Sequence, residues 1–167
     1  MSATTLFPVF LKLTGRRVLV VGGGPVATSK LAALLSAGAD VVVVSPEVTP
    51  EIRAAGVELI ERRFQPSDLD DAWMVVAAAP PEVNREVALE AEARQRFVNA
   101  VDDPPNATVY LGGVVRRGGV TVAISTDGQA PALAGLIRQA LEALLPEDEV
   151  TRWLSTAREQ RRRGVAD

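Results

Sequence analysis

Two stretches of the chain carry residue types at spacings that do chemistry. The first is Gly22-Gly23-Gly24-Pro25-Val26-Ala27, directly after the apolar run Val18 to Val21. It contains the spacing Gly22-x-Gly24-x-x-Ala27. Glycine at the first position allows a tight turn, and glycine at the second lets backbone approach a pyrophosphate. A small third residue lets the following helix lie close on the strand. Pro25 falls where that helix begins, at a position whose missing N–H costs nothing. The remaining N–H groups and the positive end of the helix dipole then face an anion. Gly22, Gly23, Gly24, Pro25, Val26 and Ala27 are therefore candidate cofactor-binding residues; a strand, turn and helix with no ligand is the bland alternative.

The second stretch is Asn99-Ala100-Val101-Asp102-Asp103. Asp102 sits at the carboxyl end of an apolar run, on the same rim as the glycine loop in a parallel sheet. The chain has no cysteine and no histidine, which removes disulfides, thiolate nucleophiles, zinc fingers and a Ser-His-Asp triad. A carboxylate is then the natural proton acceptor. The alternative reading is a turn, Asp-Asp-Pro-Pro, whose first acid caps the strand end. Asp103 reads as its solvated neighbour, and no metal-ligating set is expected.

The rest of the chain must position these groups. With 167 residues, 47% apolar and 23% charged, it is a soluble-type globular chain of about one domain with a small appendage. A net charge of -3 gives no reason to expect nucleic acid, and no apolar run reaches the length of a membrane span. A cytoplasmic location is the default expectation. Leu6 to Leu13 should pack beside the first strand. Helical spacing of Val26, Leu31, Leu34 and Leu35 up to Gly38, then a strand Val41 to Val44, completes a β-α-β unit. Pro50 to Ala55 reads as a short helix, Val57 to Ile60 as a third strand and Trp73 to Ala79 as a fourth. Glu82 to Arg94 is a helix with Val83, Val87 and Leu89 on the sheet, and Phe97 to Val101 is a fifth strand. This alternation predicts an α/β, Rossmann-like doubly wound parallel sheet, with a dinucleotide-binding domain over 1–105.

Beyond it, 106–167 reads as a β-hairpin and helices. Thr108 to Val115 and Val120 to Ser125 flank a turn at Arg116-Arg117-Gly118-Gly119. A helix follows Ala130-Pro131 with Leu133, Leu136, Ile137, Leu141 and Leu144 on one face, and a last helix runs from Glu147 to about Arg163.

The turn Ser45-Pro46-Glu47 closes the second strand on the rim where open α/β sheets bind ligands. An acid about twenty residues past the glycines often holds the adenosine ribose. Asp40 precedes its strand and lies at the wrong end, so Glu47 is the candidate; it reads equally well as a solvated acid. Arg53 is the one base near that turn, which favours NAD over NADP.

Taken together, these segments resemble the precorrin-2 dehydrogenase family, which also forms the N-terminal part of siroheme synthases. The resemblance runs through Leu6-Phe7-Pro8-Val9-Phe10, Val21 to Ala27 with Lys30, Asn99-Ala100-Val101-Asp102 and Ser125-Thr126-Asp127-Gly128-Gln129-Ala130-Pro131, covering about residues 6–158. It implies NAD-dependent oxidation of precorrin-2 to sirohydrochlorin; some members also insert ferrous iron. It also implies a homodimer, with the hairpin and C-terminal helices as dimerisation and substrate-cleft region. By position, Pro25, Val26, Pro46 and Glu47 would contact NAD, and Asp102 matches the family's essential aspartate. A tetrapyrrole bearing many carboxylates calls for basic and hydroxyl partners. Arg116, Arg138, Ser125, Thr126 and Gly128 are candidates, with Arg117 and Arg161 to Arg163 behind them. Solvated surface charge and strand termination are the respective alternatives. Thr126 stands where some relatives have a modifiable serine. A competing function is an NAD(H)-sensing module that binds without turnover.

Overall fold

A computed structural model describes residues 6–101 and 103–164. Asp102 therefore lies outside the described residues. The chain divides into two compact units, Met1–Val109 and Tyr110–Asp167, where the sequence pattern places the boundary at 105. The difference has a local cause. The residues after the fifth strand turn back onto it: the N–H groups of Thr108 and Val109 donate to the Val98 carbonyl at 2.8 and 2.9 Å. The Val98 N–H donates to Thr108 Oγ1, and Asn99 Nδ2 donates to the Val109 carbonyl, both at 2.8 Å.

The first unit runs β1 (Arg17–Val21), α1 (Pro25–Ser36), β2 (Asp40–Val44), α2 (Pro50–Ala54), β3 (Glu58–Ile60), β4 (Met74–Ala77), α3 (Pro81–Ala93) and β5 (Phe97–Ala100). All strand pairs are parallel, in the order β3-β2-β1-β4-β5. This is the expected doubly wound sheet. Strand side chains alternate between two faces, so the valine-rich strands feed two cores. Val18, Val20, Val41, Val43, Met74 and Val76 meet Ala27, Leu31 and Leu34 of α1 on one face. Leu19, Val21, Val42, Val44, Val75 and Ala77 meet Val87, Ala88 and Ala91 of α3 on the other.

Several expectations give way. Leu6 to Leu13 does not pack beside the first strand along its length; Phe7 is 86% exposed and only Leu13 reaches the core. Val26, Leu35 and Leu89 point outward, because small residues (Ala27, Ala88, Ala91) form the helix faces that press on the sheet. Trp73 precedes β4 and is half exposed, with the Arg16 guanidinium 3.6 Å above its ring. Asp103 is half-buried rather than freely solvated, and its Oδ2 accepts from Asn106 Nδ2 at 2.8 Å.

The second unit holds β6 (Gly113–Arg117) and β7 (Val120–Ile124), antiparallel, then α4 (Pro131–Leu144) and α5 (Glu147–Arg162). Arg116 and Arg117 are strand residues opposite Thr121 and Val120, not turn residues. The turn itself is Gly118-Gly119, with φ of 52° and 88°, the double left-handed geometry a two-residue hairpin loop requires. Among the described residues of this unit, Val115, Ala134 and Val150 are the buried apolar ones. Leu133, Leu136, Ile137 and Leu144 of α4 stay exposed. Among the described residues, no helix is long and apolar enough to cross a membrane.

Candidate functional site

The strand order reverses direction of winding between β1 and β4, and open α/β sheets bind ligands outside the carboxyl ends of strands at such a point. A cavity of about 920 Å³ lies there, within the size range of cofactor sites. Its floor is the glycine loop, and its walls come from the turns that follow β2, β3 and β4.

The three glycines do different work. Gly22 has φ of 117°, and a Cβ there would lie 2.2 Å from the Ala78 carbonyl oxygen. Gly23 is squeezed by the turn after β2: a Cβ would meet the Glu47 carbonyl oxygen at 2.0 Å and Val48 Cγ1 at 2.8 Å. Gly24 is the N-cap of α1, and a Cβ on it would meet no atom within 4 Å. Two glycines therefore let the loop pack against protein, and the third leaves its open face to the cavity. That is the cradle an anionic pyrophosphate fits. Pro25 and Val26 are exposed at the head of α1, while Ala27 is fully buried where the helix lies on the sheet. The first-turn N–H groups of α1 have no acceptor within the helix, so the helix begins with free donors and a positive dipole end directly after Gly24, which lines the cavity.

Hydrogen bonds hold this loop in register. The Gly22 N–H donates to the Val44 carbonyl and the Thr49 N–H to the Gly23 carbonyl, each at 2.9 Å. Ser45 Oγ, buried, donates to the Glu47 carbonyl at 2.6 Å and shapes the turn that presses on Gly23. Thr49 caps α2 by accepting from the Ile52 N–H, and its hydroxyl pairs with that of Thr28 at 2.8 Å. Thr28 Oγ1 in turn donates to the Gly24 carbonyl at 3.1 Å. On the β4 side, the buried Asn84 accepts from the Ala79 N–H at 2.9 Å, fixing the turn that covers Gly22.

Gly22, Gly23, Gly24, Ser45, Pro46 and Glu47 line the cavity, whereas Pro25, Val26 and Ala27 are not among its lining residues. Asp40 begins β2 and lies at the opposite end of the sheet. Arg53 pairs with Glu61 at 2.5 Å, and the base that lines the cavity is instead Arg63, ahead of Phe64 in the segment after β3. Val83, Glu82 and Glu86 of α3 complete that wall. Sequence reasoning missed Arg63, Phe64 and the α3 acids, because their route to the site is the parallel pairing of β2 with β3 and of β1 with β4.

The second unit carries Ser125, Thr126, Gly128, Arg116 and Arg138. Ser125 Oγ accepts from the Asp127 N–H at 3.1 Å, and Thr126 Oγ1 accepts from the Ala130 N–H at 3.2 Å. These hydroxyls therefore shape the loop into α4, through left-handed Asp127 and Gly128. Arg138 is paired with Glu142 at 2.7 Å, and Arg116 is exposed on β6. Among the described residues, no group of three or more Asp or Glu side chains is arranged to hold a metal ion.

Residues 9–113 match the NAD(P)-binding family, and residues 117–144 match the central segment of sirohaem biosynthesis proteins. The chain is similar to a solved structure titled SirC, precorrin-2 dehydrogenase, at 31% identity and a TM-score of 0.78. The match covers 93% of this chain and 79% of that one. The chain belongs to the precorrin-2 dehydrogenase family. Siroheme synthases are also similar: that of Photorhabdus laumondii is 44% identical and that of Pseudomonas entomophila 45% identical, each over 144 residues. Each match covers 83% of this chain and 31% of the relative, so the chain spans about a third of the curated proteins it matches. Within a precorrin-2 dehydrogenase fold, the open face at Gly24 and the cavity around it suit the nicotinamide dinucleotide that the NAD(P)-binding family takes.

Proposed function

We propose that this protein oxidises precorrin-2 to sirohydrochlorin with NAD as hydride acceptor, a step of siroheme biosynthesis. The observation that carries the reading is the cradle at the head of α1, where Gly22 and Gly23 are locked by protein and Gly24 alone is left open. Gly24, Pro25, Val26 and the first-turn N–H groups would hold the pyrophosphate, and Glu47 would accept from the adenosine ribose. A bound oxidised nicotinamide supplies the hydride acceptor. The substrate loses two hydrogens, one as hydride and one as a proton, so a base is needed. Asp102 supplies it: it follows Val101, whose N–H donates to the Ala77 carbonyl at 3.0 Å at the carboxyl edge of the sheet. Its carboxylate takes the proton, in a chain that has no histidine to do so.

The polycarboxylate substrate would be met by Arg116, exposed on β6, with Arg138, Ser125, Thr126 and Gly128 of the second unit. The exposed leucines of α4 support a homodimer through that unit. The test is anaerobic mixing of the purified protein with precorrin-2 and NAD. NADH and the sirohydrochlorin spectrum should appear together. Measurable dinucleotide binding with no NADH formed would turn the assignment towards an NAD(H)-sensing module.

A further inference from the structure

The arginines after β3 are not alike. Arg53 is neutralised by Glu61 at 2.5 Å, and Arg62 grips Asp68 with two hydrogen bonds of 2.5 and 2.8 Å. Arg63 is different: it lines the cavity, is exposed, and among the described residues has no acid partner. Its backbone is nevertheless fixed. The Arg63 carbonyl accepts from Arg62 Nη1 at 2.9 Å, and the next residue, Phe64, packs against the core on one face of the sheet. Arg63 thus enters the cavity lining from a fixed backbone just after β3, the strand that pairs with β2, whose turn carries Glu47. The cavity's other acids, Glu82 and Glu86, rise from α3 after β4, whereas Arg63 follows β3.

Glu47 and Arg63, which line the same cavity, suit two different ribose substituents. A carboxylate accepts hydrogen bonds from free ribose hydroxyls. An unpaired guanidinium binds a phosphate, and does so in bidentate fashion. Resting on the dinucleotide-binding reading above, we propose that Arg63 is a specificity-determining residue that admits a 2′-phosphate. The site then takes NADP as well as NAD, with Glu47 serving the 2′-hydroxyl and Arg63 the 2′-phosphate.

The experiment is a fluorescence titration of the full chain with NADH and NADPH, with no substrate present. The parent should bind the two with dissociation constants within about tenfold of each other. Arg63→Ala should weaken NADPH by about tenfold or more, the value of a lost charge-assisted hydrogen bond, and NADH by less than about threefold. Glu47→Gln should move the ratio the other way, towards NADPH. Arg63 is exposed, so its variant should keep the parent's thermal midpoint, and Glu47→Gln gives a second readout that does not depend on Arg63→Ala. Equal weakening of both dinucleotides in Arg63→Ala, or no change in either, overturns the proposal. So does parent binding of NADPH more than about a hundredfold weaker than NADH, while leaving the NAD reading intact. Binding of neither dinucleotide overturns both.

Discussion

Alanine substitution at the three consecutive glycines separates the loop's structural role from its binding role. Gly22→Ala must adopt φ of 117° and drive a methyl to 2.2 Å from the Ala78 carbonyl oxygen. Left-handed backbone strain of about 1–2 kcal/mol adds to about 1–3 kcal/mol for overpacking, so roughly 2–5 kcal/mol is lost. Gly23→Ala carries only the overpacking cost, about 1–3 kcal/mol, because its methyl would meet the Glu47 carbonyl oxygen at 2.0 Å. Gly24→Ala meets nothing and sits at φ of -84° and ψ of -172°, which any residue adopts. Its gain of about 0.4–1 kcal/mol from a less flexible unfolded chain offsets the similar loss of glycine's N-cap advantage over alanine. At about 2–4 °C per kcal/mol for a chain of this size, the midpoints should fall by roughly 4–20 °C, 2–12 °C and under about 3 °C respectively. Binding should reverse that order of concern. The Gly24 methyl would occupy the open face proposed for the pyrophosphate, and losing even one charge-assisted hydrogen bond there should cost about tenfold or more in NADH affinity. Thermal melts by circular dichroism and NADH titration of the same samples read both effects. A Gly24→Ala protein that binds NADH like the parent would refute the assignment of the open face to the pyrophosphate. One that melts as low as Gly22→Ala would refute the packing argument.

Three further outcomes follow from other parts of the molecule. Asp102→Ala should abolish precorrin-2 turnover by about a hundredfold or more while NADH binding stays within about threefold; unchanged turnover would return it to a turn residue. Burial of the Asp68 carboxyl works to raise its pKa. The Arg62 hydrogen bonds, the Gln65 N–H and the charges of Arg62 and Arg17 together outweigh that and hold it below the ordinary value. The resulting stabilisation is complete above the unfolded pKa of about 3.9 and is lost as pH falls through the lower folded value. Asp68→Asn should therefore melt about 2–4 °C below the parent at pH 7, with the gap narrowing as pH falls below about 4; a gap that does not narrow at all on acidification would exclude the charge as its source. If the proposed homodimer forms through α4, the parent should sediment as a dimer and Leu136→Glu, on the exposed face of that helix, as a monomer, with NADH affinity unchanged; a parent that sediments as a monomer would overturn the dimer.

What the sequence makes legible is whatever repeats locally. Val18 to Val21 and Val41 to Val44 announce strands buried on both faces, and Gly22, Gly24 and Ala27 announce the turn and the close-lying helix. Less legible is anything fixed by a partner far along the chain. Leu31 and Leu34 are buried while Leu35 is not, although all three fit one broad helical stripe. Leu89 fails in the same way, because Ala88 and Ala91 let α3 approach the sheet too closely to need a large side chain. The hairpin arginines shift from turn to strand because Gly118 and Gly119 alone satisfy the two-residue loop.

Gly23 shows why the site itself is only half readable. It occupies a position in the glycine spacing where any residue is allowed, and the pattern gives it no special task. Its constraint comes from the Glu47 carbonyl, brought onto the loop when β2 pairs with β1 in register from Arg17 with Asp40 to Val21 with Val44. The turn that excludes a side chain at Gly23 is the same turn that presents Glu47 to the cavity. The shape of the glycine loop and the placement of Glu47 are therefore not independent: the Thr49 N–H bond to the Gly23 carbonyl and the Ser45 bond to the Glu47 carbonyl set both at once. Arg63 arrives by the next pairing, Val44 with Ile60, three residues before it. The glycine spacing is local and readable, but Glu47 and Arg63, the residues proposed to choose between related cofactors, reach the same cavity only through strand register.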